Sequence, residues 1–179
     1  MNAFLDGAFL PLADAKVSVL DRGFIFGDGV YEVVPVYSKK PFRLDAHLRR
    51  LQASLDAIRL ANPYPVQQWR ACICELVAQQ DFEDQSVYIQ VTRGVPPASQ
   101  PLRDHPFPQG AVPTVFMFAQ PLVPASAAQK AAGVCALTVA DSRWLRCDIK
   151  AIALLANILL RQQAVDAGCA EAVMLRDGF

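Results

Sequence analysis

Net charge is the first thing this sequence lacks. Its 179 residues carry 17 Lys+Arg against 17 Asp+Glu, which argues against a strongly electrostatic nucleic-acid or membrane-surface binder. Cysteines are few and unordered. The five, Cys72, Cys74, Cys135, Cys147 and Cys169, form an odd, scattered set with no C-x-x-C pair. A disulfide framework is therefore not expected, and a reducing, cytoplasmic setting fits best. Long apolar runs are missing too: none reaches the roughly 18 uncharged residues of a membrane span. The stretch "MNAFLDGAFLPLADAK" has no basic segment ahead of an unbroken apolar run, so it does not read as a signal peptide. No repeat or low-complexity tract is present.

What is there suffices for a core. Hydrophobic residues make up 53% of the chain, enough for one ordinary domain or two small ones. "AFL-DG-AFL" near the start reads as a two-residue hairpin. "VYEVVPVY" (30–37) reads as a strand. From Asp45, a plausible N-cap, Leu48, Leu51, Leu55 and Ile58 fall on one helical face. Trp69, Ile73, Leu76 and Val77 mark a second helix. "SVYIQVTRG" (86–94), "VPTVFMFAQ" and "GVCALTVAD" read as strands. "VPPASQPLRDHPFPQG" (95–110), with five prolines in sixteen residues, is a loop. A last helix is expected over 151–167, with Gly168 as its C-cap. "EAVML" and "DG" read as a strand and a hairpin turn, which suggests a partner strand beyond Phe179. The fold class is α+β, with one domain over 1–120 and the start of a second over 121–179.

One residue stands out by position. Lys150, in "WLRCDIKAIALLANILLRQQA" (144–164), separates a polar run from the last helical pattern. A cation at a helix N-terminus is mildly disfavoured by the helix dipole, and most such lysines are simply solvated. Here apolar residues follow at once, and Arg143 and Arg146 are close in sequence. Burial and neighbouring cations both lower a lysine pKa, which is what an amine nucleophile needs.

The same segment resembles the lysine segment of the class IV, fold-type IV aminotransferases, which use pyridoxal phosphate. "DRGFIFGDGVYEVVPVY" (21–37), "HLRRLQASL" (47–55), "YIQVTRG" and "GCAEAVMLRDG" resemble further family blocks in the same order. Within the family the D-amino-acid, D-alanine-type branch is the nearest. The resemblance implies a two-domain fold and a pyridoxal 5'-phosphate cofactor. It implies transamination between D-amino acids and 2-oxo acids such as 2-oxoglutarate. Lys150 would form the Schiff base with the cofactor and move the Cα proton. Arg50 would bind the cofactor phosphate through its bidentate fork. Tyr31 would lie near the substrate carboxylate. Arg103 and His105, the "RDH" pair, would bind that carboxylate, and their loop would reach the active site of the other subunit of a homodimer. The loop is longer than is usual in the family.

Other readings of the same residues differ in chemistry. A branched-chain L-amino-acid aminotransferase and an aminodeoxychorismate lyase share the fold and the lysine, and "RDH" argues against both. A non-catalytic relative or inert fragment is the reading of another class. The family glutamate that pairs with the cofactor's pyridine nitrogen falls after the final turn and is not in this sequence. A chain ending at Phe179 is accordingly expected to be a poor enzyme, unstable or abnormally associated.

Overall fold

A computed structural model describes all 179 residues, which fall into two units. The first comprises Met1–Val123 together with Asp148–Ala153, and the second Pro124–Cys147 with Leu154–Phe179. The expected division near residue 120 leaves out this exchange, because Asp148–Ala153 pack with the first unit.

In the first unit, β1 (Asn2–Leu5) and β2 (Ala8–Pro11) form the expected hairpin, with Asp6 and Gly7 both at positive φ in the turn. Next come α1 (Arg22–Phe26), β3 (Gly29–Tyr37), β4 (Lys40–Pro41), α2 (Leu44–Ala57), α3 (Val66–Ala78), β5 (Gln85–Thr92) and β6 (Thr114–Pro121). The six strands make one antiparallel sheet in the order β2-β1-β6-β5-β3-β4. Strand residues alternate between faces. Val30, Val34 and Val36 of β3, Val87, Ile89 and Val91 of β5, and Val115, Met117 and Ala119 of β6 all point to one side and are buried. Leu48, Leu51 and Leu55 of α2 and Trp69, Ile73 and Leu76 of α3 close that side. The α2 start differs from expectation. The helix begins at Leu44 behind Arg43, a left-handed cap residue (φ 50, ψ 38). Asp45 lies in the first turn, where its charge suits the helix N-terminus, and it pairs with Arg70.

The last helix also begins later than the apolar pattern suggests. It is α5 (Leu155–Asp166), and the residues before it are extended. Tyr31 N donates to Lys150 O (2.9 Å), Ile152 N donates to Gly29 O (3.1 Å), and Val30 pairs with Ala151. β4 pairs only with Val36 and Tyr37 at the far end of β3, so the early residues of that edge are left needing partners. Lys150–Ile152 supply them. Lys150 therefore sits on a strand edge, and the helix-dipole penalty does not apply to it.

The second unit is built from α4 (Ala127–Ala132), β7 (Ala136–Ala140), α5 and β8 (Glu171–Leu175). β7 and β8 pair in parallel over five residues. Asp177 and Gly178 form the expected tight turn, with Arg176 and Phe179 exchanging backbone hydrogen bonds. Asp141, bonded first of all by Arg143 and also paired with Arg176, is held well below the usual carboxylate range. Cys135 and Cys169 form a disulfide with Cα atoms 4.7 Å apart. Their spacing of 34 residues gave no hint of it. It is the parallel pairing of β7 and β8 that brings them side by side. No helix is long and apolar enough to cross a membrane.

Close packing against the Thr92 side chain fixes one residue of α1. The five-residue α1 is too short to persist alone. Asp21 caps it by accepting from Gly23 N (2.7 Å), and Gly27 ends it in the left-handed region. A Cβ on Gly23 would lie 2.3 Å from Thr92 Cγ2. Gly23→Ala should destabilise the fold by about 1–3 kcal/mol, as overpacking does. Thr92→Ser, which removes that methyl, should recover part of the loss in urea unfolding. Equal stability of Gly23→Ala and the parent would refute the close approach.

Candidate functional site

The β3 strand divides the site residues between two faces. Tyr31 points to the face that α2 and α3 leave open. Its ring stacks on Tyr88 of β5, with centroids 5.7 Å apart, and Lys150 Nζ lies 3.7 Å from the Tyr31 centroid. The strand pairing described above places these side chains together, and Lys150 N donates to Ser54 Oγ of α2 (3.3 Å). A cation over a phenol ring is attracted to its π face. The Tyr88 hydroxyl donates to Gln90 (2.8 Å). Burial first, and then the adjacent Tyr31, push the Tyr88 pKa up to about 12. A cavity of about 470 Å³ opens on this same face, lined in part by Tyr88, Gln90, Phe116 and Ile152. Ile152 lies two residues from Lys150 on the same strand-like segment. Neither Lys150 nor Tyr31 lines the cavity itself.

Glu32, the next residue of β3, points the other way into the row of valines and is 1% exposed. A buried carboxylate has to be paired. Arg50 donates to it through Nε (2.5 Å) and Nη2 (2.8 Å), and His47 Nδ1 lies 3.0 Å from Oε2. The hydrogen bond to Glu32 holds the Arg50 pKa up, with burial opposing it. About half of the Arg50 side chain, 53%, is exposed, and its Nη1 lies outside the ion pair. His47, Arg50 and Ser54 stand at i, i+3 and i+7 on α2, one helical stripe beside the leucine stripe of the core. The sequence singles out Arg50 of this cluster but not Glu32 and His47. The available signal was a lone glutamate in the inward register of a valine-rich strand.

Arg103 and His105 lie on the exposed loop between β5 and β6 and pack on Phe26 of α1. The Arg103 guanidinium carbon is 5.8 Å from the Phe26 ring centre, and the His105 ring is 5.7 Å away. They make no hydrogen bond or ring contact with Lys150, Tyr31 or Arg50 in the same chain. The structure thus joins Lys150 to Tyr31, ties Arg50 to Glu32 on the neighbouring residue, and keeps the "RDH" pair apart from both.

The arrangement offers a primary amine over a tyrosine ring, a guanidinium of α2 oriented by the carboxylate of the next strand residue, and a separate cationic loop. Chemically this suits capture of a carbonyl by the amine and of an anionic group by the guanidinium.

The family described as Amino-transferase class IV matches residues 29–178. Among curated relatives, a D-alanine aminotransferase of Bacillus licheniformis is 36% identical over 179 residues, covering 100% of this chain and 61% of that protein. A D-alanine aminotransferase of Listeria innocua is 41% identical over 177 residues, covering 98% of this chain and 60% of its own. Among solved structures, a branched-chain aminotransferase from Thermoproteus uzoniensis with norvaline aligns with a TM-score of 0.82 at 27% identity, covering 99% of this chain and 60% of that one. The chain spans about 60% of the length of the curated relatives it matches.

Arg50→Ala would leave the Glu32 carboxylate buried with His47 alone. The expected loss is about 3 kcal/mol, the low end for a broken buried ion pair because half the Arg50 side chain is in water. Chemical denaturation measures it. A loss below about 0.5 kcal/mol would place the pair among the weak surface bridges.

Proposed function

The chain belongs to the class IV aminotransferases, and from that premise we propose that the protein transfers amino groups between D-amino acids, of the D-alanine type, and 2-oxo acids such as 2-oxoglutarate. The observation that carries the reading is the Lys150–Tyr31 contact, a primary amine held by strand pairing against a tyrosine ring. The D-amino-acid preference rests on the relatives named D-alanine aminotransferase at 36–41% identity and on the "RDH" pair. The solved branched-chain aminotransferase, at 27% identity, keeps an L-selective reading as the alternative.

The residues present suit pyridoxal 5'-phosphate. Lys150 supplies the amine that such an aldehyde requires. Arg50 supplies a guanidinium whose Nε and Nη2 are engaged by Glu32 while the Nη1 side stays available for a phosphate. Once bound, the cofactor provides an electron sink for the pair released when the Cα–H bond breaks. Lys150 would hold the cofactor, and its amine, freed when the amino acid takes its place, would carry the proton away from Cα. Glu32 fixes the plane of Arg50, and His47 steadies Glu32. Tyr31, Arg103 and His105 orient the substrate carboxylate, and so the Cα–H bond, which is catalysis by positioning. Arg103 and His105 make contact with Phe26 and with none of the other three site residues of their own chain. That supports a homodimer in which this loop serves the partner's site.

Borohydride reduction of the cofactor-loaded protein, followed by peptide mapping, should place the pyridoxyl label on Lys150. Label on Lys130 or another lysine would sink the assignment. Arg103→Ala should lower kcat/KM for D-alanine about ten- to a hundred-fold, the loss of a charge-assisted contact of roughly 1.5–3 kcal/mol. Equal parent rates with L-leucine and D-alanine would instead favour the branched-chain reading.

A further inference from the structure

The loop that carries Arg103 and His105 is exposed from Pro101 to Phe107, yet it is gripped from beneath. The grip begins at Asp28, between α1 and β3. Its carboxylate binds two arginines at once. Arg22 donates to Oδ2 through Nε (2.8 Å), and Arg93 donates to Oδ2 through Nε (2.8 Å) and to Oδ1 through Nη2 (3.1 Å). Both arginine side chains are nearly buried, at 5% and 6% exposure. Two guanidiniums so close together repel unless a negative charge lies between them. Burial acts to raise the Asp28 pKa, but the hydrogen bonds and charges of Arg93 and Arg22 outweigh it and hold the carboxylate below its ordinary value.

With its Nε fixed on Asp28, Arg22 turns its other two nitrogens to the loop. Nη1 donates to Asp104 O (2.6 Å) and Nη2 to His105 O (3.2 Å). The fork thus spans two consecutive carbonyls, a geometry that a lysine ammonium cannot reproduce. Arg93 holds the next part of the loop differently, with its guanidinium carbon 3.8 Å from the Phe107 ring centre. It also anchors the assembly to the turn that follows α2 by donating to Ile58 O (2.8 Å) and Arg59 O (3.4 Å). The Phe26 ring lies under Arg22, Arg103 and His105 together. Backbone, ring and charge contacts therefore converge on residues 103–107 from one carboxylate.

We propose that Asp28 is a positioning residue that, through Arg22 and Arg93, sets the loop bearing Arg103 and His105 for recognition of the substrate carboxylate. The proposal rests on the transaminase reading for the role of Arg103 and His105. The clamp itself stands on the contacts alone.

The test uses the full-length, cofactor-loaded protein with two variants, Asp28→Asn and Arg22→Lys. Asp28→Asn removes the shared charge. Arg22→Lys keeps a cation beside Asp28 and removes the fork, so it covers the case in which Asp28→Asn fails to fold. Two measurements are made. The first is amide hydrogen exchange at Gln100 and Gln109, which are bonded within the loop to Pro97 O and to the Gln100 side chain. The second is the split between KM and kcat for D-alanine. In Arg22→Lys, loop exchange should rise at least about tenfold while the amides of β3 and β5 keep their protection. KM should rise roughly tenfold with a smaller change in kcat, since carboxylate binding is what loosens. Unchanged loop exchange would overturn the clamp. Faster loop exchange with unchanged KM would overturn the positioning role. So would an equal fall of kcat in both variants with KM unmoved, the mark of general damage. If the parent has no D-alanine activity, the transaminase reading fails by itself, and loop exchange in Arg22→Lys then decides the clamp alone.

Discussion

Glu32 stands in a row of valines. Its neighbours on the inward face of β3, Val30, Val34 and Val36, are fully buried, and a charge in that row persists only when it is paired and hydrogen-bonded. That requirement dictates what α2 must present: His47 and Arg50 on one stripe, with Ser54 one turn further along, bonded to the backbone of Lys150. Moving β3 by one residue would send Glu32 to the open face and Tyr31 into the core, because a one-residue slip inverts every side chain of a strand. The register of β3 against β5, fixed over eight residue pairs, is therefore what turns Tyr31 towards the Lys150 amine and the next residue, Glu32, towards Arg50 of α2.

Three carboxylates within twelve residues organise the surroundings in the same manner. Asp21 is 2% exposed and accepts from Gly23 N, Thr92 Oγ1 and Thr114 Oγ1, so it joins the start of α1 to β5 and β6. Asp28 joins two arginines, and Glu32 joins β3 to α2. Each is buried or nearly so, and each takes at least one donor from farther along the chain. The segment "DRGFIFGDGVYE" thus reads as a set of anchors around which the lysine segment, the arginine helix and the loop are arranged.

Much of this was legible and some was not, for physical reasons. Leu48, Leu51 and Leu55, the Trp69–Ile73–Leu76 spacing and the Asp6–Gly7 turn all report local periodicity or turn chemistry, which a sequence displays directly. The start of α5 was misplaced because "AIALL" carries a helical apolar pattern, while the backbone of Lys150–Ile152 is claimed by the unpaired edge of β3. Pairing across more than a hundred residues overrides local propensity there. The disulfide of Cys135 and Cys169 was hidden for a similar reason, since only the parallel register of β7 and β8 makes them neighbours. Lys150, Tyr31, Arg50, Arg103 and His105 are singled out by ordered blocks that resemble a family, not by any property that the residues display singly.

The residues missed share one feature. Arg22, Asp28, Glu32, His47 and Arg93 look like ordinary surface charges in a linear reading, and the most frequent fate of such residues is a solvated position. What separates them is register. Glu32 falls on the inward side of a strand, Arg93 follows directly on a buried strand end, and Arg22 and Asp28 bracket a helix too short to hold itself. Charge at a position where the period of the element demands an apolar side chain is a conflict between local and global preference, and such conflicts gather where a fold does chemistry or supports it. Here each conflict resolves into an ion pair beside the lysine, the arginine or the loop, so the most useful sign in the sequence was the polar residue that breaks an apolar row.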